Sequence, residues 1–223
     1  SYQSVSSAAN WTLIRESFEM KRLLGLHFIN ALAAGIPATL FIVFAEEVVA
    51  VGDAQMGVLL LSYFLSGLLT LPLWNRIAKS VGVIAAWRLS LLLAIVGFIP
   101  VFILGKGDMT LYWWVCVITG ASLGADMALP SSLLAKVLQD HSNQSGFAQE
   151  ASGFGLWGMI GKLALAAAVG ICFPLLDVAT ELQLREGVLM TLYAASPIFL
   201  KFIVWMLLPK LGLDDQEGKD EKV

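Results

Sequence analysis

Of the chain's 223 residues 58% are hydrophobic and only 14% are charged, with a formal net charge of -3. Soluble domains are roughly half apolar and a quarter charged, so this balance describes a membrane protein. So small a net charge, with no basic run interleaved with aromatics, excludes nucleic acid as a partner. Cys116 and Cys172 both lie inside apolar runs, where a thiol serves as a small buried hydrophobe, and they indicate no redox compartment.

The chain opens at Ser1 rather than at a methionine, and no basic n-region with a small-residue cleavage site follows. It reads as a piece of something longer. Residues 1–22 are polar and are expected to form a cytoplasmic linker ending in a short amphipathic helix, WTLIRESFEMKR. Asn10-Trp11-Thr12 fits a glycosylation acceptor, a pattern common by chance. Six apolar spans follow, near 23–44, 56–74, 83–104, 110–135, 154–176 and 188–208, and predict an all-α, six-helix transmembrane domain over 23–208. Residues 209–223 form an acidic cytoplasmic tail.

Basic residues set the orientation, because loops on the cytoplasmic side carry the excess of Lys and Arg. Arg15, Lys21, Arg22, Arg76, Lys79, Arg88, Lys136, Lys210, Lys219 and Lys222 fall on one side, against Lys106 and Arg185 on the other. Both termini are therefore expected in the cytoplasm, for a multi-pass protein of a bacterial inner membrane. Pro37, Pro72, Pro100, Pro130, Pro174 and Pro197 fall within or at the ends of spans, where neighbours or water must satisfy the carbonyls they free.

The most informative stretch is Gly120 to Lys162, two apolar segments around a polar loop, each with one charge. Asp126 lies about eight residues before the loop and Lys162 about eight residues into the following span. At 1.5 Å per helical residue both sit roughly 12 Å into a hydrocarbon core about 30 Å thick. Such a charge is costly unless it faces a partner or a wet cavity. Two readings stay open: a structural ion pair locking neighbouring helices, or a solute and ion pathway in which Lys162 is the charged group and Asp126 sets its state.

Gly120 and Gly124, with Ala121 and Ala125, form a small-xxx-small face, and Gly155, Gly158 and Gly161 thin the fifth span. Close helix packing is the first explanation for both. Gly158 lies one turn before Lys162 and clears space on its face. Trp157 then has two possible roles, packing or a platform for the apolar face of a sugar.

Gly120-Ala121-Ser122-Leu123-Gly124 matches G-x-S-x-G, but a nucleophile elbow needs a strand, a turn and a helix, and this string lies in a continuous apolar helix. The rhomboid alternative fails as well: Leu123 replaces the required glycine and the sixth span holds no histidine. His27 reads as a helix-end side chain reaching the interface and His141 as a loop residue. Asn30 reads as an interhelical hydrogen-bonding residue, with a place at a substrate cavity as the alternative. No H-x-x-x-H, C-x-x-C or carboxylate cluster suggests a metal, so neither an enzyme nor a cofactor is expected.

The segments NALAAGIPATLFIVFAEEV, YFLSGLLTLPLWNRIAKSVG, LGADMALPSSLLA and SGFAQEASGFGLWGMIGKLALA together resemble the glycoside-pentoside-hexuronide:cation symporters of the major facilitator superfamily, the melibiose permease-like branch. The resemblance runs from about Trp11 to Leu208 and matches that family's C-terminal half. It implies coupled transport of a small sugar or glycoside with H⁺ or Na⁺. Lys162 stands where that family has a lysine near the sugar and cation sites. Trp157, Gly158, Gly161 and Met127 match sugar-bordering positions. Arg76 and Lys79 match a cytoplasmic loop motif, and Glu150 closes a G-x-x-x-E run. Lys136 departs from the pattern, replacing a usual aspartate, and Asn75 stands where an acid is frequent. The resemblance also implies that six N-terminal helices are missing, without which the chain should not transport. A non-transporting six-span scaffold or regulatory subunit and a lipid or drug carrier of the same superfamily are the rival readings.

Overall fold

The structure, a computed structural model, describes residues 18–145 and 150–211, with the backbone alone for residues 141–145, 150 and 210. All regular elements among the described residues are helical. Six of these helices are long and apolar enough to cross a membrane. They are α1 (Phe18–Val49), α2 (Asp53–Val81), α3 (Val83–Ile103), α4 (Met109–Ser145), α5 (Glu150–Glu181) and α6 (Arg185–Leu207). In hydrocarbon every backbone polar group needs an internal partner, and helical hydrogen bonding provides most of these within each span.

The six expected spans are all present, and several overrun their expected ends. α1 begins at Phe18, so the basic turn Lys21-Arg22 belongs to the first span rather than to a separate amphipathic helix. The reason is local: no Gly or Pro stands between Phe18 and Leu24 to end a helix. α4 likewise runs past Ala135 to Ser145. Residues 1–17, 146–149 and 212–223, with most of the expected linker and tail, lie outside the described residues.

Chain reversals are tight. Gly82, at φ +86°, joins α2 to α3 in a conformation that a side chain would strain, and its N–H returns to the Ala78 carbonyl at 2.9 Å. Between α3 and α4, Gly107 takes φ +91° and donates its N–H to the Val49 carbonyl, pinning that loop to the end of α1. Two helices carry π-turns, Ala45–Val49 in α1 and Thr191–Ala195 in α6. The second lies just before Pro197, which supplies no N–H to its preceding turn.

α1 packs on α5 and α6, α4 packs on α2 and α3, and α3 packs on α6. Exchanging the first three helices for the last three maps this set of contacts onto itself. Because three is odd, the two triplets enter the membrane from opposite sides, and the bundle is an inverted repeat.

Two apolar clusters fill the interior. Towards the end that carries the reversals α1–α2, α3–α4 and α5–α6, here the far end, lie Phe41, Phe44, Phe98, Tyr112 and Tyr193. Towards the near end lie Trp74, Trp87, Leu129, Leu134 and Val204. Between the two clusters runs a thin polar layer, with Asn30 from α1, Ser122 and Asp126 from α4 and Lys201 from α6.

Candidate functional site

The polar layer is held by four helices. Asp126 accepts a hydrogen bond from Lys201 Nζ at 2.7 Å on Oδ2 and from Trp87 Nε1 at 3.1 Å on Oδ1. Lys201 Nζ also donates to Asn30 Oδ1 at 3.2 Å. The lysine and aspartate side chains are 4% and 9% exposed, so the pair is desolvated. Each charge in such a place is tolerable only because the other is there, and the Asn30 and Trp87 bonds satisfy part of the remaining capacity.

The partner of Asp126 is thus Lys201 rather than Lys162. Depth along the helix is readable in sequence, but rotation and neighbourhood are not. α4 and α5 are consecutive yet share little contact, whereas α6 folds back against α1 and α3 beside the carboxylate. Lys201 carries the same signal that singles out Asp126 and Lys162, a lone charge within an apolar run, SPIFLKFIVWML. Sequence reasoning that pairs charges on adjacent spans passes over it.

Lys162 is exposed on α5, beside the exposed side chains of Met159 and Leu163. Gly158 has open space where a side chain would point, and a Cβ at Gly161 would sit 3.5 Å from His27 Nε2. Trp157 stacks on the His27 imidazole, ring centroids 3.5 Å apart and 15° between planes. One face of the indole is therefore covered, which leaves only the other for any solute. His27 is half-buried against α5 instead of reaching the interface, and Gly161 leaves room there for the ring. Met127, next to Asp126, points away from the pair and is 62% exposed. Asn30, by contrast, is buried in the site.

Of the expected gate residues, Arg76 and Lys79 stand exposed in the last turns of α2, and Lys136 is half-buried in α4 at the same end. The side chain of Glu150 lies outside the described residues, as does that of His141.

The small-residue face of α4 lies against α2. A Cβ on Gly120 would collide with the Tyr63 carbonyl, and one on Gly124 with the Gly67 carbonyl. Beside this close approach runs a ladder with a spacing of four. Ser62 Oγ accepts from Trp113 Nε1, Ser66 Oγ donates to the Val117 carbonyl, and Thr70 Oγ1 and Trp74 Nε1 both donate to the Ala121 carbonyl. Ser62, Ser66, Thr70 and Trp74 recur at i+4, so one stripe of α2 supplies the whole seam. That stripe is visible in the sequence as the polar members of an apolar run. Ser122, the serine of the G-x-S-x-G string, sits mid-helix and buried in α4, not at a strand-to-helix turn.

Comparison with protein families gives a match to the family described as MFS/sugar transport protein, over residues 2–214. The chain belongs to this family. Among curated proteins none matches the chain. The family places the protein in the major facilitator superfamily, whose members are transporters, and an integral multi-pass membrane protein with six apolar helices agrees with it. Superfamily halves are built as three-helix inverted repeats, the arrangement that the packing of α1–α6 displays. In the family setting the G-x-S-x-G string has a packing role, since its glycines seat α4 on α2.

Proposed function

We propose that this chain is the C-terminal half of a secondary active transporter that couples uptake of a small sugar or glycoside to H⁺ or Na⁺ by alternating access. On this reading the near end, with Arg76, Lys79 and Lys136, faces the cytoplasm of a bacterial inner membrane, and six further N-terminal helices complete the carrier. The observation that carries it is Lys162. An ammonium exposed in an apolar stretch, among Met159 and Leu163, costs several kcal/mol against lipid and is stable only beside water or a counter-charge. The face of α5 that bears it is therefore a wet one, which in a transporter family is the solute pathway. Gly158, one turn before the lysine, keeps that face low, and Met127 on α4 is exposed for contact with the solute.

Asp126 then serves the pathway indirectly, as half of the internal pair that fixes α4, α1 and α6 in one register. Lys162 is the group free to meet a coupling ion's site on the other half. The test is ion-gradient-driven uptake of galactosides and other small glycosides by the full carrier in membrane vesicles. Lys162→Ala is expected to abolish accumulation with unchanged membrane insertion, and undiminished accumulation would remove the lysine from the mechanism.

A further inference from the structure

The molecule holds a second feature that solute transport on the α5 face does not use. A crevice of about 100 Å³ enters between α1 and α2 and ends inside the bundle. Its rim carries the exposed Ala38 and Phe64, and its floor the buried Phe98, Val115, Cys116 and Tyr193. Almost all of this lining is apolar. Pro37, Tyr63, Phe98 and Thr119 also border a smaller space of about 20 Å³ whose remaining lining includes Ser122, Asp126 and Lys201. An apolar chamber thus adjoins a polar end with room for about one hydroxyl oxygen.

The polar end has hydrogen-bonding capacity to spare. Ser122 is 1% exposed and its Oγ has no hydrogen-bond partner among the described residues. A buried hydroxyl left so is destabilising, and a guest atom that bonds to it would recover the loss. Lys201 has three N–H donors, of which Asp126 and Asn30 take two.

We propose that this crevice is a binding site for a compact amphiphile, a ring of about six carbons bearing one hydroxyl, such as a phenol or a cyclic alcohol. The ring fills the chamber against Phe98, Val115 and Tyr193, and the hydroxyl reaches the layer of Ser122, Asp126 and Lys201. The volumes set the size class, because an enclosed cavity of about 150 Å³ admits benzene and this one is smaller but open at its mouth. The site is neutral towards charge, since Asp126 and Lys201 already balance each other, so an uncharged guest fits it better than an ion.

The experiment follows ¹⁹F resonances of 4-fluorophenol and fluorobenzene added to the full chain in lipid nanodiscs, with protein-free nanodiscs measuring partition into lipid. Saturable binding of 4-fluorophenol is expected, about tenfold tighter than that of fluorobenzene, the advantage of one buried hydrogen bond. Ser122→Ala should bring the two probes within about threefold of each other. Ala38→Trp alters an exposed rim position without entering the core and should remove saturable binding of both. A linear, partition-only signal in the unaltered protein, equal binding of the two probes, or saturable binding that survives Ala38→Trp would each overturn the proposal.

Discussion

Among the described residues two ion pairs tie α6 to the rest of the bundle, and they are built on opposite principles. At the far end Arg185 grips Glu47 with two hydrogen bonds, Nε to Oε2 at 2.9 Å and Nη2 to Oε1 at 2.7 Å, while Nη1 donates to Thr180. Its two side chains are 34% and 41% exposed. In the middle of the bundle Lys201 meets Asp126 at the same 2.7 Å, but buried. Equal distance conceals unequal consequence. Exposed charges keep most of their hydration and lose little when parted, whereas a buried charge whose partner is removed has nowhere to go.

Breaking the buried pair should therefore give the largest effect. Lys201→Ala leaves the buried Asp126 without its counter-charge and is expected to destabilise the protein by about 3–5 kcal/mol, measured by chemical unfolding in bicelles. Asp126→Leu combined with Lys201→Met removes both charges at similar volume and should recover more than half of that loss. Failure of the double variant to recover would mean that the pair stabilises on its own account rather than by mutual rescue.

The next effect should come from shape. Gly120→Val pushes a side chain against the Tyr63 carbonyl and forces α4 away from α2, at a cost of about 1–3 kcal/mol. Thinning the ladder beside it is gentler. Ser66→Ala removes one bond to a carbonyl and should cost about 0.6 kcal/mol, the average found for interhelical hydrogen bonds in membranes. Arg185→Ala should be the mildest, within about 1 kcal/mol, and its effect should shrink further in high salt as the charges are screened. A loss at Arg185 as large as that at Lys201 would dissolve the contrast between the two pairs.

The sequence discloses what depends on position along the chain. Six apolar runs predict six spans, and the lone charge at Asp126 marks the buried polar layer. Gly120 and Gly124 announce a close approach, although not that Tyr63 and Gly67 are what approach them. What stays hidden depends on rotation about each helix axis and on which helices become neighbours. The Lys201–Asp126 pair spans 75 residues and the Lys201–Asn30 bond 171, distances over which no local pattern speaks. Lys162 illustrates the complement: its place along the helix is legible, but whether it turns inward depends on α5 packing chiefly against α1, which leaves its remaining faces open.

The spacing of the buried pair also dictates a sequence of events at the ribosome. Asp126 is synthesised 75 residues before Lys201, which at about 5–20 residues per second is a delay of roughly 4–15 seconds. During that interval the nascent fourth helix has no counter-ion of its own. It must wait, sheltered by water or by the insertion machinery, until translation delivers the ammonium that completes it.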